Sequence, residues 1–437
     1  MIRTLLLLWL TLLAALPARA EIDIREITTP GGLSAWLVEE HSIPFLALEL
    51  RFRGGTSLDA PGRRGAVNLM TALLEEGAGG MDAQEFSVAT ETLAAEFRFR
   101  AEGDSVAVSA RVLTENRAEA LALLREALIA PRFDAEAVER VRAQVLAGID
   151  SDSRDPDAIA SRSFRALAFG EHPYGTPADG TLESVAALTR EDLIAAHASA
   201  LARDRLHISA VGDITADELA GLLDELLGAL PAEGAPMPER IDYTLKGGVT
   251  VVDFDTPQSV ILFAQRGMKR HDPDFFAAYV MAQILGGGGF SSRLMEEVRE
   301  KRGLTYGIGA YLYPMDHSEM FTGSTSTVNA RAAETVALVQ EEWRRLAAEG
   351  VTAEELERAK TYLTGAYPLR FDGNARIANI LVGMQLDGLT PDYIRTRNDR
   401  INAVTPEDIR RVAAGLIDPD NLHFIVVGRP EGLEPTH

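Results

Sequence analysis

The sequence repeats itself once, over nearly half its length. Thr189-Arg-Glu-Asp-Leu193 is answered by Thr405-Pro-Glu-Asp-Ile409, Leu206-His207 by Leu422-His423, and Val211-Gly212 by Val427-Gly428. Upstream, Ala135-Glu136 and Glu139-Arg140 are answered by Ala353-Glu354 and Glu357-Arg358. Several matches in one order and nearly one register identify a duplicated domain, because the period is far too long for a solenoid. Whatever the first half folds into, the second must fold into as well.

Each half reads as mixed strand and helix. Residues 45–52 alternate as a strand and 260–264 hold the matching place. Helices are expected over 65–76 and 273–285, and amphipathic ones over 135–149 and 353–367. A helix capped by Thr189 or Thr405 and a strand from Leu206 or Leu422 close each half. Pro231-Ala-Glu-Gly-Ala-Pro-Met-Pro238 lacks periodicity and reads as a linker. The fold class is therefore α+β: two tandem α/β sandwiches, each a sheet with helices packed on one face. The expected boundaries are 21–230 for the first domain, 231–241 for the linker and 242–437 for the second.

Residues 1–20 read as a cleaved export signal. Arg3 precedes an apolar run over 5–16, and Ala18-Arg19-Ala20 gives small residues where a signal peptidase reads. The run is short for a membrane span, which needs about 20 apolar residues. A periplasmic-type compartment is expected. With no cysteine among 437 residues, stability must come from buried apolar area. The formal charge of −22 argues against nucleic-acid binding, which needs clustered Lys and Arg.

Self-contained catalytic motifs are missing. No two of the eight histidines lie at the i, i+4 spacing that puts two imidazoles on one helical face for zinc. His207 and His423 are repeat-equivalent and structural. His172, in a turn-rich stretch, reads as a packed loop histidine. There is no nucleophile elbow, phosphate loop or dinucleotide fingerprint in a strand–helix setting. Two features of the second half stand out. Gly286, Gly287, Gly288 and Gly289 permit close backbone approach or a hinge. Arg299 and Tyr306, seven apart across a helix–strand junction, could hold and polarise a peptide carbonyl. The bland alternative is a solvated helix end beside a core tyrosine.

Phe290-Ser-Ser-Arg-Leu294, with Val298-Arg-Glu-Lys-Arg-Gly-Leu-Thr-Tyr306, resembles the C-terminal-domain signature of the insulinase-like (pitrilysin, M16) zinc peptidases. The resemblance spans essentially the mature chain, including Arg53-Gly-Gly-Thr-Ser57, His172-Pro-Tyr-Gly175 and the glycine run. It implies a half-clam of paired domains, and a peptide chamber closed by a second such chain. Active members carry H-x-x-E-H on a first-domain helix and a distal Glu. Here the two His positions fall on Asn68 and Ala72, the catalytic Glu on Thr71, and the distal glutamates on Ala147 and Gly148. No metal ligand is expected in this chain, and Glu75 and Glu76 make a poor zinc site without histidine. The family's Arg and Tyr survive as Arg299 and Tyr306.

The resemblance thus implies a subunit inactive alone. An H-x-x-E-H partner would bring zinc, while this chain brings Arg299, Tyr306 and the glycine loop to an extended peptide. The competing expectation is an exported scaffold or peptide-binding chaperone with no role in proteolysis.

Overall fold

The computed structural model describes residues 22–288 and 291–436; the expected signal peptide and Gly289 lie outside the described residues. The first sheet is built from β1 (Arg25–Thr28), β2 (Ser34–Glu39), β3 (Phe45–Arg53), β4 (Glu96–Ala101), β5 (Ser105–Leu113) and β6 (Leu206–Gly212), in the order β1-β2-β6-β3-β5-β4. The second contains β7 (Gly248–Asp253), β8 (Gln258–Arg266), β9 (Ile308–Pro314), β10 (Glu319–Val328) and β11 (His423–Gly428), in the order β9-β10-β8-β11-β7. Without the β1 edge, the two orders are the same. Each sheet also has one parallel pair at the same place, β2 with β6 and β7 with β11, amid otherwise antiparallel neighbours. The sequence repeat is a repeat of topology.

Six helices position the functional residues: α1 (Ala66–Ala72), α2 (Ala135–Asp152), α3 (Pro156–Phe169), α4 (Phe275–Gly286), α5 (Ala353–Ala366) and α6 (Asn374–Leu386). Thr189 and Thr405 cap their helices as expected, each accepting from the N–H three residues on and closing a capping box. The strand expected over 260–264 is longer, because residues at both its ends pair with β10. The helix expected over 65–76 is shorter. Asp59 fixes its start by accepting from the Gly65 and Val67 N–H groups. It ends at Ala72, where tight turns back to Met70, Thr71 and Leu73 lead into Gly77 at φ 106°, a left-handed position suited to glycine. Residues 231–247 contain no helix or strand.

Each sheet carries its own domain's helices on one face. The opposite face is covered from the other half of the chain. α3, from the first half, packs on β8 and β11, where Phe164 meets Val260, Ile425 and Val427 and stacks on Tyr243 with ring centroids 6.1 Å apart. α6, from the second half, packs on β3 and β6, where Ala378, Leu381 and Met384 meet Trp36, Ala47 and Val211. These two helices stand 218 residues apart, the same offset as α2 and α5. The duplicated units thus exchange equivalent helices.

Candidate functional site

In the first domain, α1 packs on the edge strand β4 and against α2. Its sequence, Ala-Val-Asn-Leu-Met-Thr-Ala, presents mostly small and apolar groups, and Val67, Leu69 and Met70 are fully buried. Thr71 is also buried, and its hydroxyl donates to the Val67 carbonyl at 2.8 Å, so it is satisfied within its own helix. Ala72 packs against the first core. Ala147 and Gly148 lie exposed on α2. One turn beyond α1, Glu76 is taken by Arg140, whose two Nη atoms donate to its two carboxylate oxygens at 3.0 and 2.8 Å. Burial and the neighbouring Glu76 charge push the Glu75 carboxyl above its ordinary range.

A zinc ion needs several nitrogen, sulfur or carboxylate donors converging at about 2.0–2.3 Å. Here the positions offer one amide, a committed hydroxyl, two alanines and a glycine. Among the described residues, no group of three or more His, Cys, Asp or Glu is placed to hold a metal. Zinc does not fit this set.

His172 is locked in its loop, with Nδ1 accepting from the Tyr174 N–H at 3.1 Å and Nε2 3.0 Å from the Glu239 carbonyl. Burial, aided by the Arg53 charge, pushes His207 down to about 4. His423 lies 2.7 Å from the Lys246 carbonyl and 3.0 Å from the Thr250 hydroxyl.

In the second domain, α4 packs on the edge strand β9 as α1 does on β4. Gly286 makes that approach possible. A Cβ there would lie 2.5 Å from the Ala310 nitrogen, so no larger residue fits without moving β9. A Cβ on Gly287 would collide with Gln283, whereas one on Gly288 would meet nothing. The run is therefore packed at its start and open by its third residue.

Arg299 lies in a π-helical segment, Met295–Glu300, where the Lys301 N–H reaches back five residues to the Glu296 carbonyl. Lys301 and Arg302 both turn to Glu297, each at 2.7 Å, and hold its carboxyl below the usual range. Arg299 pairs with the exposed Glu300 at 3.5 Å and keeps 30 % of its side chain exposed. The wide turn is fastened to β9 by the Ile308 N–H, 3.5 Å from the Met295 sulfur.

Tyr306 is 87 % exposed, which rules out the core-tyrosine alternative. The loop that carries it is nonetheless fixed. The Thr325 hydroxyl sits 2.9 Å from both the Thr305 hydroxyl and the Gly307 carbonyl, and the Thr327 hydroxyl donates to the Leu304 carbonyl at 2.6 Å. The phenol is thus exposed on a loop whose backbone is held from β10. Sequence reasoning missed these two threonines, whose only signal was polar residues on a buried strand. It also left open the role of Arg293. That side chain is buried and donates bidentately to Glu355 at 2.6 and 2.9 Å, joining the signature segment to the start of α5. Although burial alone would raise it, Glu355 is held at about 2 by this fork and the Thr352 N–H.

The structure thus gathers Gly286, Tyr306 and the Arg299 turn around the start of β9. It places Asn68, Thr71, Ala72, Ala147 and Gly148 in the other domain.

Residues 36–181 match the family model described as insulinase (peptidase family M16), and residues 187–363 match the one described as peptidase M16 inactive domain. A crystal structure from Pseudomonas fluorescens, titled as a peptidase M16 inactive domain, is 30 % identical with a TM-score of 0.88, covering 95 % of this chain and all of that one. The Helicobacter pylori protein named Non-peptidase homolog YmxG is 27 % identical over 390 residues, 89 % of this chain and 90 % of that protein. An uncharacterized zinc protease of Mycobacterium leprae is 27 % identical over 398 residues, 90 % of this chain and 88 % of that one.

Proposed function

The chain belongs to the M16 peptidase family as an inactive-type homologue, and from that premise we propose that it is the non-catalytic, substrate-binding subunit of an exported heterodimeric zinc metallopeptidase. An H-x-x-E-H partner supplies zinc and the base. This chain supplies Arg299 and Tyr306 to the substrate carbonyl and its developing oxyanion, and the glycine loop to an extended peptide added as a strand.

The observation that carries the reading is Tyr306. A phenol 87 % exposed on a loop tethered by Thr325 and Thr327 has no packing role in this chain. In the first domain, the helix equivalent to α4 carries alanine and a self-satisfied threonine. Fold membership by itself is a weak warrant for function. Among the described residues, no helix is long and apolar enough to cross a membrane.

The deciding experiment is peptide cleavage by the purified mature chain with added zinc, alone and mixed with a co-encoded H-x-x-E-H homologue. Activity is expected only in the mixture. Zinc-dependent cleavage by this chain alone would overturn the assignment of Asn68, Thr71 and Ala72. Silence in both, with stable peptide binding, would transfer the chain to the scaffold or chaperone class.

A further inference from the structure

The chain is strongly acidic, with a formal charge of −22, yet one groove on its first sheet is lined by five arginines against three glutamates. The cause lies in the sequence of β4, Glu-Phe-Arg-Phe-Arg-Ala. Strand alternation sends Phe97 into the core and Arg98 and Arg100 to the opposite face. The register then builds two rungs across three strands. Arg98 stands opposite Ser109 and Ser109 opposite Glu49, while Arg100 stands opposite Ala107 and Ala107 opposite Arg51. A methyl group between two arginine stems leaves a hollow of about 400 Å³, walled on its far side by Ala375, Arg376 and Asn379 of α6.

Not all of these cations are neutralised within the protein. Arg51 donates to Glu49 at 2.8 Å and to Asn379 at 2.6 Å, Arg98 pairs with Glu96, and Arg111 lies 3.4 Å from that same Glu96. Among the described residues, neither Arg100 nor Arg376 makes a side-chain hydrogen bond or an ion pair. Both are exposed, on opposite walls of the hollow. Arg376 sits in the first turn of α6, a 13-residue helix that no side chain caps, so the positive end of its dipole adds to the field.

We propose that this groove is a binding site for the carboxylates of an extended acidic peptide segment, held between Arg100 and Arg376 over Ala107. Guanidinium groups bind carboxylates bidentately. Arginines at alternate positions of β4 repeat at about 6.6 Å, the spacing of same-face side chains in an extended peptide. The short row and the negative charge of the whole chain disfavour long polyanions, which the wider field repels. The assignment deepens the peptide-binding reading above and rests on it for the source of the peptide. In an assembled enzyme it biases capture toward acidic sequences.

The test is fluorescence anisotropy of fluorescein-labelled hexaglutamate with the purified mature chain, without zinc or partner. Saturable binding is expected, weakened by about 10-fold or more in Arg100→Glu/Arg376→Glu and reduced in the milder Arg100→Gln/Arg376→Gln. Arg358→Glu, at an exposed ion pair elsewhere, should leave it unchanged. Absent binding, or binding indifferent to the groove variants in chain that melts normally, overturns the proposal. So does tighter, groove-dependent binding of a labelled 12-nucleotide oligothymidine, which would make phosphate the ligand. Because the assay omits the partner, its failure leaves the cleavage result standing, and a failed mixing experiment leaves the groove standing.

Discussion

α1 and α4 hold the same place in two copies of one fold, each laid along the edge strand of its sheet. Their ends have diverged in opposite directions. On α1 and just beyond it, polar groups are spent within the chain: Thr71 on the Val67 carbonyl, Glu76 on Arg140. After α4, the chain closes one glycine against β9, then opens into a π turn and a tethered, exposed tyrosine. Burial in the core fixes the helix, whereas the residues at its tip are free to gain or lose chemistry. Alanine and a back-bonded threonine satisfy a packed helix without outside partners.

The exchanged helices extend the comparison and carry the largest expected effects. If α3 and α6 are equivalent braces, truncating either should cost similarly. Phe164→Ala should destabilise by about 3–5 kcal/mol and Leu381→Ala by about 2–5 kcal/mol in urea unfolding, since both side chains are buried in the inter-domain clusters. A loss below about 1 kcal/mol in one and a full loss in the other would break the symmetry and leave one helix merely docked.

The tips come next. In the mixed enzyme, Arg299→Ala should lower turnover by about 10²-fold, the usual effect of removing one oxyanion donor. Thr71→Ala, at the emptied counterpart, should leave turnover unchanged. Near-normal turnover of Arg299→Ala, measured on chain that melts like wild type, would remove the role assigned to the second domain.

The duplication was legible in the sequence because repeat-equivalent residues such as Thr189 and Thr405 recur in one order. The capping boxes they form need only local chemistry. That positions 68, 71 and 72 carry Asn, Thr and Ala, none of them an ordinary zinc ligand, is read from the identities alone. The exchange of α3 and α6 was not legible. An amphipathic period marks an apolar face and is silent on which sheet receives it. Nor was the groove at Arg100 and Arg376, whose walls lie 276 residues apart and meet only through that exchange. Tyr306 was the ambiguous case. Sequence left it between core and surface, and the hydroxyls of Thr325 and Thr327, a strand away, decide it.

The smallest effect expected is at the seam between the copies. The turn joining β4 to β5 and the equivalent turn joining β9 to β10 meet there. The Asp316 N–H donates to Asp104 at 3.2 Å, Tyr174 donates its hydroxyl to Asp104 at 2.6 Å, and the His317 N–H donates to that hydroxyl at 2.9 Å. Burial pushes the Asp316 carboxyl up to about 6, even with Arg53 at 3.2 Å. A carboxyl that holds its proton more tightly folded than unfolded contributes stability in full below its unfolded value, near 3.8, and loses it as pH rises through about 6. His207, pushed down to about 4, works in the other direction, losing its contribution as pH falls from 6.5 through about 4. The melting profile of the wild type therefore mixes opposing terms, and the informative quantity is the difference from Asp316→Asn. An amide does not titrate, so the variant should gain on the wild type between about pH 4.5 and pH 7.5, by on the order of 1 kcal/mol, or about 1–2 °C in Tm. A difference that stays flat across this range would mean that Asp316 is ionised throughout, with Arg53 outweighing its burial. The two turns would then be joined by a permanent ion pair and not by a carboxyl that gives up its proton near pH 6.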